Sequence, residues 1–279
     1  MKRVAITVVL TALAAGAAAG VDLDALWNFN DPAASEARFR IELARASGDD
    51  ALVLRTQIAR TLGLRGRFDE AHRELDAIET TLVGAGGEPR VRAWLERGRA
   101  LRSAGKPAEA KPLFERAYTA ADTAGLEPLA ADALHMVALA EPALDERIAW
   151  NRRTIAYAER AKDPRARRWR AVALNNIGSD LRDAGRLPES LATFRDALAA
   201  YEQQGRVDNI RFARWQVANV LRLLGRNDEA LAQQLALERD HAAAGQADAD
   251  VFDELALLDT PRAAAWRAQA ESARNARRP

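Results

Sequence analysis

A ten-residue segment recurs four times along this 279-residue chain, and its spacing constrains the fold more than any other feature. Each copy begins with leucine, has glycine four residues later and then a basic residue, and ends with alanine or serine. The glycines of successive copies are 39, 80 and 40 residues apart. Self-similarity at a period of about 20–50 residues indicates a stacked repeat architecture. The four copies are Leu62–Ala71, Leu101–Ala110, Leu181–Ser190 and Leu221–Ala230.

Each repeat carries the signals of two helices joined by a short turn. Glycine ends a helix readily because it adopts the left-handed conformation, and proline or aspartate favours the first turn of the next helix, as at Pro107 and Asp228. The 80-residue gap leaves room for one degenerate repeat. We predict its first helix over 131–140, a break at Pro142 and its second helix over 146–162. The array therefore contains about five helix pairs.

The composition agrees with an all-α chain that folds into a globular domain. Hydrophobic residues make up 48% and charged residues 29%, and the abundant alanine, leucine, arginine and glutamate all favour helix. A further helix is predicted from Asp31-Pro32 to about Ser47, closed by Gly48, and another from Thr260-Pro261. Capping helices of this kind keep the ends of a solenoid soluble.

Residues 1–19 have the layout of a secretory signal peptide. Lys2 and Arg3 precede an uncharged, mostly apolar run, and Ala17 and Ala19 supply the small side chains that signal peptidase accepts. The run is too short and too rich in alanine for a membrane span of about 20 strongly apolar residues. An uncleaved anchor is the alternative. We expect an exported protein, periplasmic or secreted, with no membrane span in the mature chain.

Residue types that support catalysis or metal binding are sparse. The net charge of +1 lacks the basic excess of nucleic-acid binders, and the absence of cysteine excludes thiol catalysis and cysteine–zinc sites. His72, His135 and His241 lie far apart and show no ligand spacing. We therefore expect no cofactor, no metal, no nucleic-acid partner and no enzymatic activity. A helical hydrolase or lyase with unrecognised catalytic groups is an alternative.

The repeated residues resemble the tetratricopeptide repeat, whose pattern is W-x2-L-G-x2-Y followed by A-x3-F. Gly178, Leu181, Ser190 and Phe194 fit this pattern. The period near 40 exceeds the usual 34. Longer helices are typical of the kinesin-light-chain-like subtype, which the run Ala-Leu-Asn-Asn-Ile-Gly at 173–178 also resembles.

The resemblance implies a right-handed tetratricopeptide-type superhelix, a solenoid in which the first helix of each pair lines a concave groove. The chain then divides into a signal peptide (1–19), an N-terminal linker (20–31), the repeat array (32–258), and a C-terminal capping helix with a basic tail (259–279).

Polar residues on the first helices form the predicted binding surface. If Leu174 and Ile177 pack inward, their polar neighbours point elsewhere on the same helix, and the resemblance implies that the asparagine pair there faces the groove. Amides both donate to and accept from a peptide backbone, and arginine grips a carboxylate with two bonds. The candidate groove residues are Arg99, Arg102, His135, Asn175, Asn176, Ser179, Arg182, Trp215, Asn219 and Arg222.

Within this set, Asn176, Asn219 and Arg222 form the hypothetical centre of a site for an acidic or carboxylate-bearing peptide. A scaffold that binds a protein or peptide in the groove is therefore the favoured function. The alternative is an adaptor that self-associates or docks on an envelope complex through its convex face. An enzyme would instead show a deep pocket with paired ionisable groups.

Export gives the first testable prediction. The mature protein is expected to begin near Gly20 or Val21, because the small side chains of Ala17 and Ala19 precede that point. N-terminal sequencing of protein purified from its native host measures this. Recovery of an intact Met1 from a soluble cytoplasmic fraction would contradict the prediction.

Overall fold

The computed structural model describes residues 21–276, and helices account for nearly all of their secondary structure. The predicted signal peptide and the last three residues of the basic tail lie outside these residues. The N-terminal half contains α1 (Leu23–Leu26), α2 (Pro32–Leu43), α3 (Gly48–Leu64), α4 (Phe68–Asp76), α5 (Glu79–Leu82), α6 (Gly87–Ser103), α7 (Pro107–Thr123) and α8 (Glu127–Ala140).

The C-terminal half continues the same alternation of long helices and short turns. It contains α9 (Leu144–Arg160), α10 (Pro164–Arg167), α11 (Trp169–Asp183), α12 (Leu187–Gln204), α13 (Val207–Leu223), α14 (Asn227–Ala243), α15 (Ala249–Leu258), a 3-10 turn (Thr260–Arg262) and α16 (Ala263–Ala276).

These helices pack as antiparallel pairs that stack into a solenoid. Five pairs, α3/α4, α6/α7, α8/α9, α11/α12 and α13/α14, are followed by a sixth pair, α15/α16, at the C-terminal end. Neighbouring pairs pack through α3 on α6, α7 on α8, and α12 on α13. The predicted all-α solenoid of about five pairs with capping helices is confirmed.

The predicted turn residues act as expected. Gly66, Gly105, Gly185 and Gly225 all have left-handed φ angles, between 73° and 79°. The degenerate repeat is present as α8 and α9, on either side of Pro142. Its first helix begins earlier than predicted because Pro128 stands in its first turn, a position where proline is compatible with helix.

The N-terminal end differs from the prediction in two respects. Asp31 does cap α2, accepting a hydrogen bond from the backbone N–H of Ala34 at 2.9 Å, but α2 ends at Leu43. Gly48 has φ of 57° and starts α3. The segment predicted as a linker contains α1, and its Leu26 and Trp27 pack against the buried cluster that includes Phe39 of α2 and Leu54 of α3.

In two of the helix pairs, the contact includes a glycine that leaves no room for a side chain. A Cβ atom added to Gly178 on α11 would lie 2.7 Å from the ring of Phe194 on α12, and Phe194 is fully buried. The Ser190 hydroxyl donates to the Gly178 carbonyl at 2.7 Å across the same contact. Gly98 and Phe114 repeat this arrangement between α6 and α7.

A matched pair of alanine substitutions tests this contact. Gly178→Ala is expected to lower the free energy of unfolding by about 1–3 kcal/mol, because the new methyl group overlaps the Phe194 ring. Gly63→Ala, in the last turn of α3 with open space around its Cα, is expected to cost nothing or to stabilise by up to about 1 kcal/mol. Denaturant unfolding followed by circular dichroism measures both. Equal effects would contradict the close contact.

Candidate functional site

The ten predicted groove residues all lie on the first helices of successive pairs. We call the surface formed by these residues and their neighbours on α3, α6, α8, α11 and α13 the inner surface. Arg99 and Arg102 lie on α6 and His135 lies on α8. The other seven lie on α11 (Asn175, Asn176, Ser179 and Arg182) and α13 (Trp215, Asn219 and Arg222).

Arg99 is held in a buried ion-pair cluster. Its guanidinium contacts Glu96 on its own helix and Asp132 on α8, while Arg60 of α3 lies 3.6 Å from Glu96. Burial alone would raise the pKa of Asp132, but the charges of Arg99 and Arg60 outweigh it and hold that pKa below its usual value. Asp132 is therefore ionised, and both terminal nitrogens of Arg99 already contact carboxylates of this chain.

Arg102 is fixed at one nitrogen only. Its Nε donates to the backbone carbonyl of Leu139 on α8 at 3.0 Å, and among residues 21–276 the Arg102 side chain makes no other hydrogen bond or ion pair. Arg102 lines a cavity of about 430 Å³ between α3, α6 and α8, which we call the Arg102 cavity. Its other lining residues include Arg60, Leu64, Phe68, Glu96, Met136 and Leu139.

His135 and Asn176 form a contact between α8 and α11. The Asn176 amide nitrogen lies 3.1 Å from His135 Nδ1, and because an amide nitrogen only donates, the neutral ring carries its proton on Nε2. The His135 ring also packs on Trp169, with ring centroids 4.7 Å apart. Burial lowers the pKa of His135 to about 4, helped by the charges of Arg99 and Arg102.

The remaining polar groups of α11 and α13 differ in how they are satisfied. Arg182 donates to Gln216 Oε1 at 2.8 Å, which joins α11 to α13. Asn175 Oδ1 and Trp215 Nε1 are buried and have no hydrogen-bond partner among the described residues. Trp215 lines a second cleft of about 650 Å³ beside Phe212 and His241.

The hypothetical carboxylate site at Asn176, Asn219 and Arg222 requires correction. Glu254 of α15 accepts from Asn219 Nδ2 at 2.9 Å and from Arg222 Nε at 2.8 Å, and its side chain is 7% exposed. Asn219 and Arg222 thus do bind a carboxylate, but it belongs to this chain. Asn176 is not part of that group, since its amide pairs with His135.

The sequence analysis missed two residues, Arg60 of the inner surface and Glu254 of α15, which pairs with that surface. Arg60 stands two residues before Leu62, the same register as Arg99 before Leu101 and Asn219 before Leu221, so the repeat pattern could have identified it. Glu254 carried no such signal, because α15 does not lead into a copy of the repeated segment as α3, α6, α11 and α13 do.

The described residues contain neither a candidate membrane span nor a candidate metal site. Within residues 21–276, none of the helices has the length and apolar character that crossing a bilayer requires. The described residues also contain no group of three or more histidine or acidic side chains placed to hold a metal ion.

Comparison with protein families gives a match over residues 169–236, from the first residue of α11 into α14. This part of the chain matches the tetratricopeptide repeat family. The match covers the repeats in which Gly178 and Phe194 follow the family pattern. A comparison with curated protein sequences finds no match.

Solved structures share the tetratricopeptide-type fold. The apo form of RapI has a TM-score of 0.66 at 9% identity, covering 90% of this chain and 75% of that one. Kinesin light chain TPR-like repeats of Podosopora anserina have a TM-score of 0.56 at 15% identity, covering 72% and 99%. NprR in complex with its cognate peptide NprX has 0.51 at 14%, covering 90% and 77%. At these identities the likeness concerns the fold alone.

The buried histidine predicts a pH dependence of stability. His135 is neutral in the folded chain down to a pKa of about 4, whereas an unfolded histidine takes up its proton near 6.5. The free energy of unfolding therefore contains the full contribution of neutral His135 above about pH 6.5. As the pH falls toward 4, the unfolded state binds a proton that the folded state does not, and the free energy of unfolding falls by at most about 3 kcal/mol.

Urea unfolding at about pH 7.5 and about pH 4.5 measures this loss, with His135→Gln as the comparison. The carboxylates titrate in both proteins. The difference between the two proteins in how the free energy of unfolding changes with pH therefore measures the contribution of His135. An equal loss of stability in the two proteins would contradict a buried neutral ring.

Proposed function

We propose that this protein is an exported, non-enzymatic scaffold that binds a peptide, or a segment of another protein, on its inner surface. We further propose that Arg102, rather than the group at Asn219 and Arg222, is the centre of the site. Export is supported by the charge and apolar pattern of residues 1–19. The binding role is supported by the geometry of the Arg102 cavity.

The observation that carries the proposal is the half-satisfied guanidinium of Arg102. Its Nε bond to the Leu139 carbonyl fixes the plane of the group, while both terminal nitrogens have no partner among the described residues. A planar guanidinium with two parallel N–H groups matches a carboxylate in geometry and charge. Because the group is already oriented, little side-chain entropy is lost when a carboxylate binds.

The walls of the Arg102 cavity indicate what accompanies that carboxylate. Leu64 of α3, Phe68 at the start of α4, and Met136 and Leu139 of α8 provide apolar surface. A cavity of about 430 Å³ lies within the range of about 300–1,000 Å³ that holds small ligands or single side chains. The fitting ligand is a peptide that carries a carboxylate next to an apolar side chain.

The shared fold is consistent with this function. NprR, a solenoid similar to this one, has been solved with its cognate peptide. The comparison supports only the general point that such a fold can hold a peptide. The adaptor that docks through its convex face is the second candidate, and the second helices of each pair, which carry exposed side chains such as Arg195 on α12, would form its surface.

A matched pair of arginine substitutions separates the two candidates. Arg102→Gln removes the free guanidinium but keeps the length of the stem, and it is expected to weaken partner binding by about tenfold or more. Arg195→Gln removes the same charge from the exposed face of α12 and is expected to leave binding unchanged.

The measurement starts with affinity capture from the envelope fraction and identification of the captured protein. The affinity of that partner for wild type and both variants is then determined by titration calorimetry. Loss of binding in Arg195→Gln with full binding in Arg102→Gln would favour the convex-face adaptor. Circular dichroism of each variant establishes that the fold is intact.

A further inference from the structure

The segment that precedes the repeat array lies on the inner surface of the first repeat. Trp27 Nε1 donates to the side-chain carbonyl of Gln57 on α3 at 3.0 Å. Gln57 and Arg60 stand five and two residues before Leu62, the register that Asn176 and Ser179 occupy before Leu181. The chain therefore places its own tryptophan on helix positions equivalent, in the repeat register, to the predicted groove residues Asn176 and Ser179.

Two aromatic rings of this segment are held together by Arg60. Trp27 and Phe29 stack with centroids 4.5 Å apart and planes within 1° of parallel. The Arg60 guanidinium lies 5.6 Å from the Trp27 centroid and 5.5 Å from the Phe29 centroid. Each such cation–π contact contributes about 0.5–2 kcal/mol, depending on how far water is excluded. Arg60 is thus a clamp for an aromatic pair two residues apart.

The segment is anchored at Trp27 and exposed at Phe29. The Trp27 ring packs edge-on against Phe39, with centroids 5.1 Å apart. Phe29 is 59% exposed, in contrast to the fully buried Phe39 of α2. The helix α1 has four residues, and its hydrogen bonds to α2 are local, such as that from Arg38 Nε to the Leu26 carbonyl at 2.8 Å. On α3 itself, Gln57 provides the one side-chain hydrogen bond to this segment among the described residues.

Arg60 also connects this site to the Arg102 cavity. It lines the Arg102 cavity on one side and, on the other, a cleft of about 370 Å³ that includes Trp27, Phe29, Arg92 and Arg165. A peptide that lies along the inner surface from Arg102 toward the N-terminal end would therefore meet Trp27 and Phe29 next. Such a ligand and the segment would compete for the same guanidinium.

We propose that Gln57 and Arg60 form a subsite for a peptide with two aromatic side chains at positions i and i+2. In this chain, residues 21–30 occupy the subsite as an internal ligand that a partner displaces. This rests on the proposed function to the extent that the inner surface binds peptides, but it names a different subsite and a different side-chain chemistry from those at Arg102.

The test uses the chain from residue 20 and a fluorescein-labelled peptide with the sequence of residues 21–31. The double substitution Trp27→Ala/Phe29→Ala releases the internal ligand and exposes the subsite. Fluorescence anisotropy is expected to show that the released variant binds this peptide at least about tenfold more tightly than wild type. Adding Gln57→Ala and Arg60→Ala to the released variant should abolish that gain.

The matched control is the same peptide with alanine in place of its tryptophan and phenylalanine, which should not bind. Equal affinity of wild type and released variant, or no binding to either, would overturn the proposal. Loss of the helical circular dichroism signal in the released variant would also overturn it. That result would show that the segment is a structural cap, without which the rest of the chain does not stay folded.

A second measurement leaves the aromatic contacts intact. The chain has no cysteine, so Asn30→Cys gives a unique site for a spin label next to Phe29. Excess unlabelled peptide is expected to convert the label to a mobile spectrum as the segment is displaced, and an unchanged spectrum would count against exchange. The Arg102 test reads out the captured partner instead, so either proposal can fail while the other stands.

Discussion

The close approach of paired helices is the constraint on which the rest of this structure depends. At Gly178 and Gly98 the first helix has no side chain, and a phenylalanine of the second helix fills the space so fully that even a methyl group would overlap it. This contact fixes the distance between α11 and α12, and the stacking of later pairs follows because each helix hairpin buries its apolar face only against its neighbours. These two contacts set how α6 packs on α7 and how α11 packs on α12.

On the inner surface, hydrogen bonds and ion pairs between polar side chains also hold neighbouring repeats in register. Side chains join each first helix to the next: Arg60 to Glu96, Arg99 to Asp132, His135 to Asn176, Arg182 to Gln216, and Arg222 to Glu254. These contacts lie about one repeat apart along the chain. The same polar residues that would bind a ligand in an open groove therefore hold neighbouring repeats together, and their loss would leave buried partners unsatisfied at a cost of about 1–3 kcal/mol each.

Because most of these polar residues are already paired within the chain, few positions on the inner surface are open to a ligand. A carboxylate that approached Arg222 would have to replace Glu254, which already accepts from Arg222 and Asn219 with good geometry. Arg102 needs no such exchange, because its terminal nitrogens have no partner among residues 21–276. The Arg60 subsite lies between these cases, since its occupant is a short, partly exposed segment of the chain. Binding at each place is governed by what the ligand must displace.

The sequence by itself determined the helix pairs, the turns at Gly66 and its equivalents, and the degenerate repeat around Pro142. These features follow from local rules, because helix periodicity, left-handed glycine and helix-breaking proline act within a few residues. The tertiary structure alone decided that Glu254 neutralises Arg222, that Asn176 pairs with His135, and that Trp27 lies on Gln57. Each of these pairs joins residues about 30 to 40 positions apart. Which of several polar side chains meet across stacked helices depends on the superhelical geometry, and no local pattern records it.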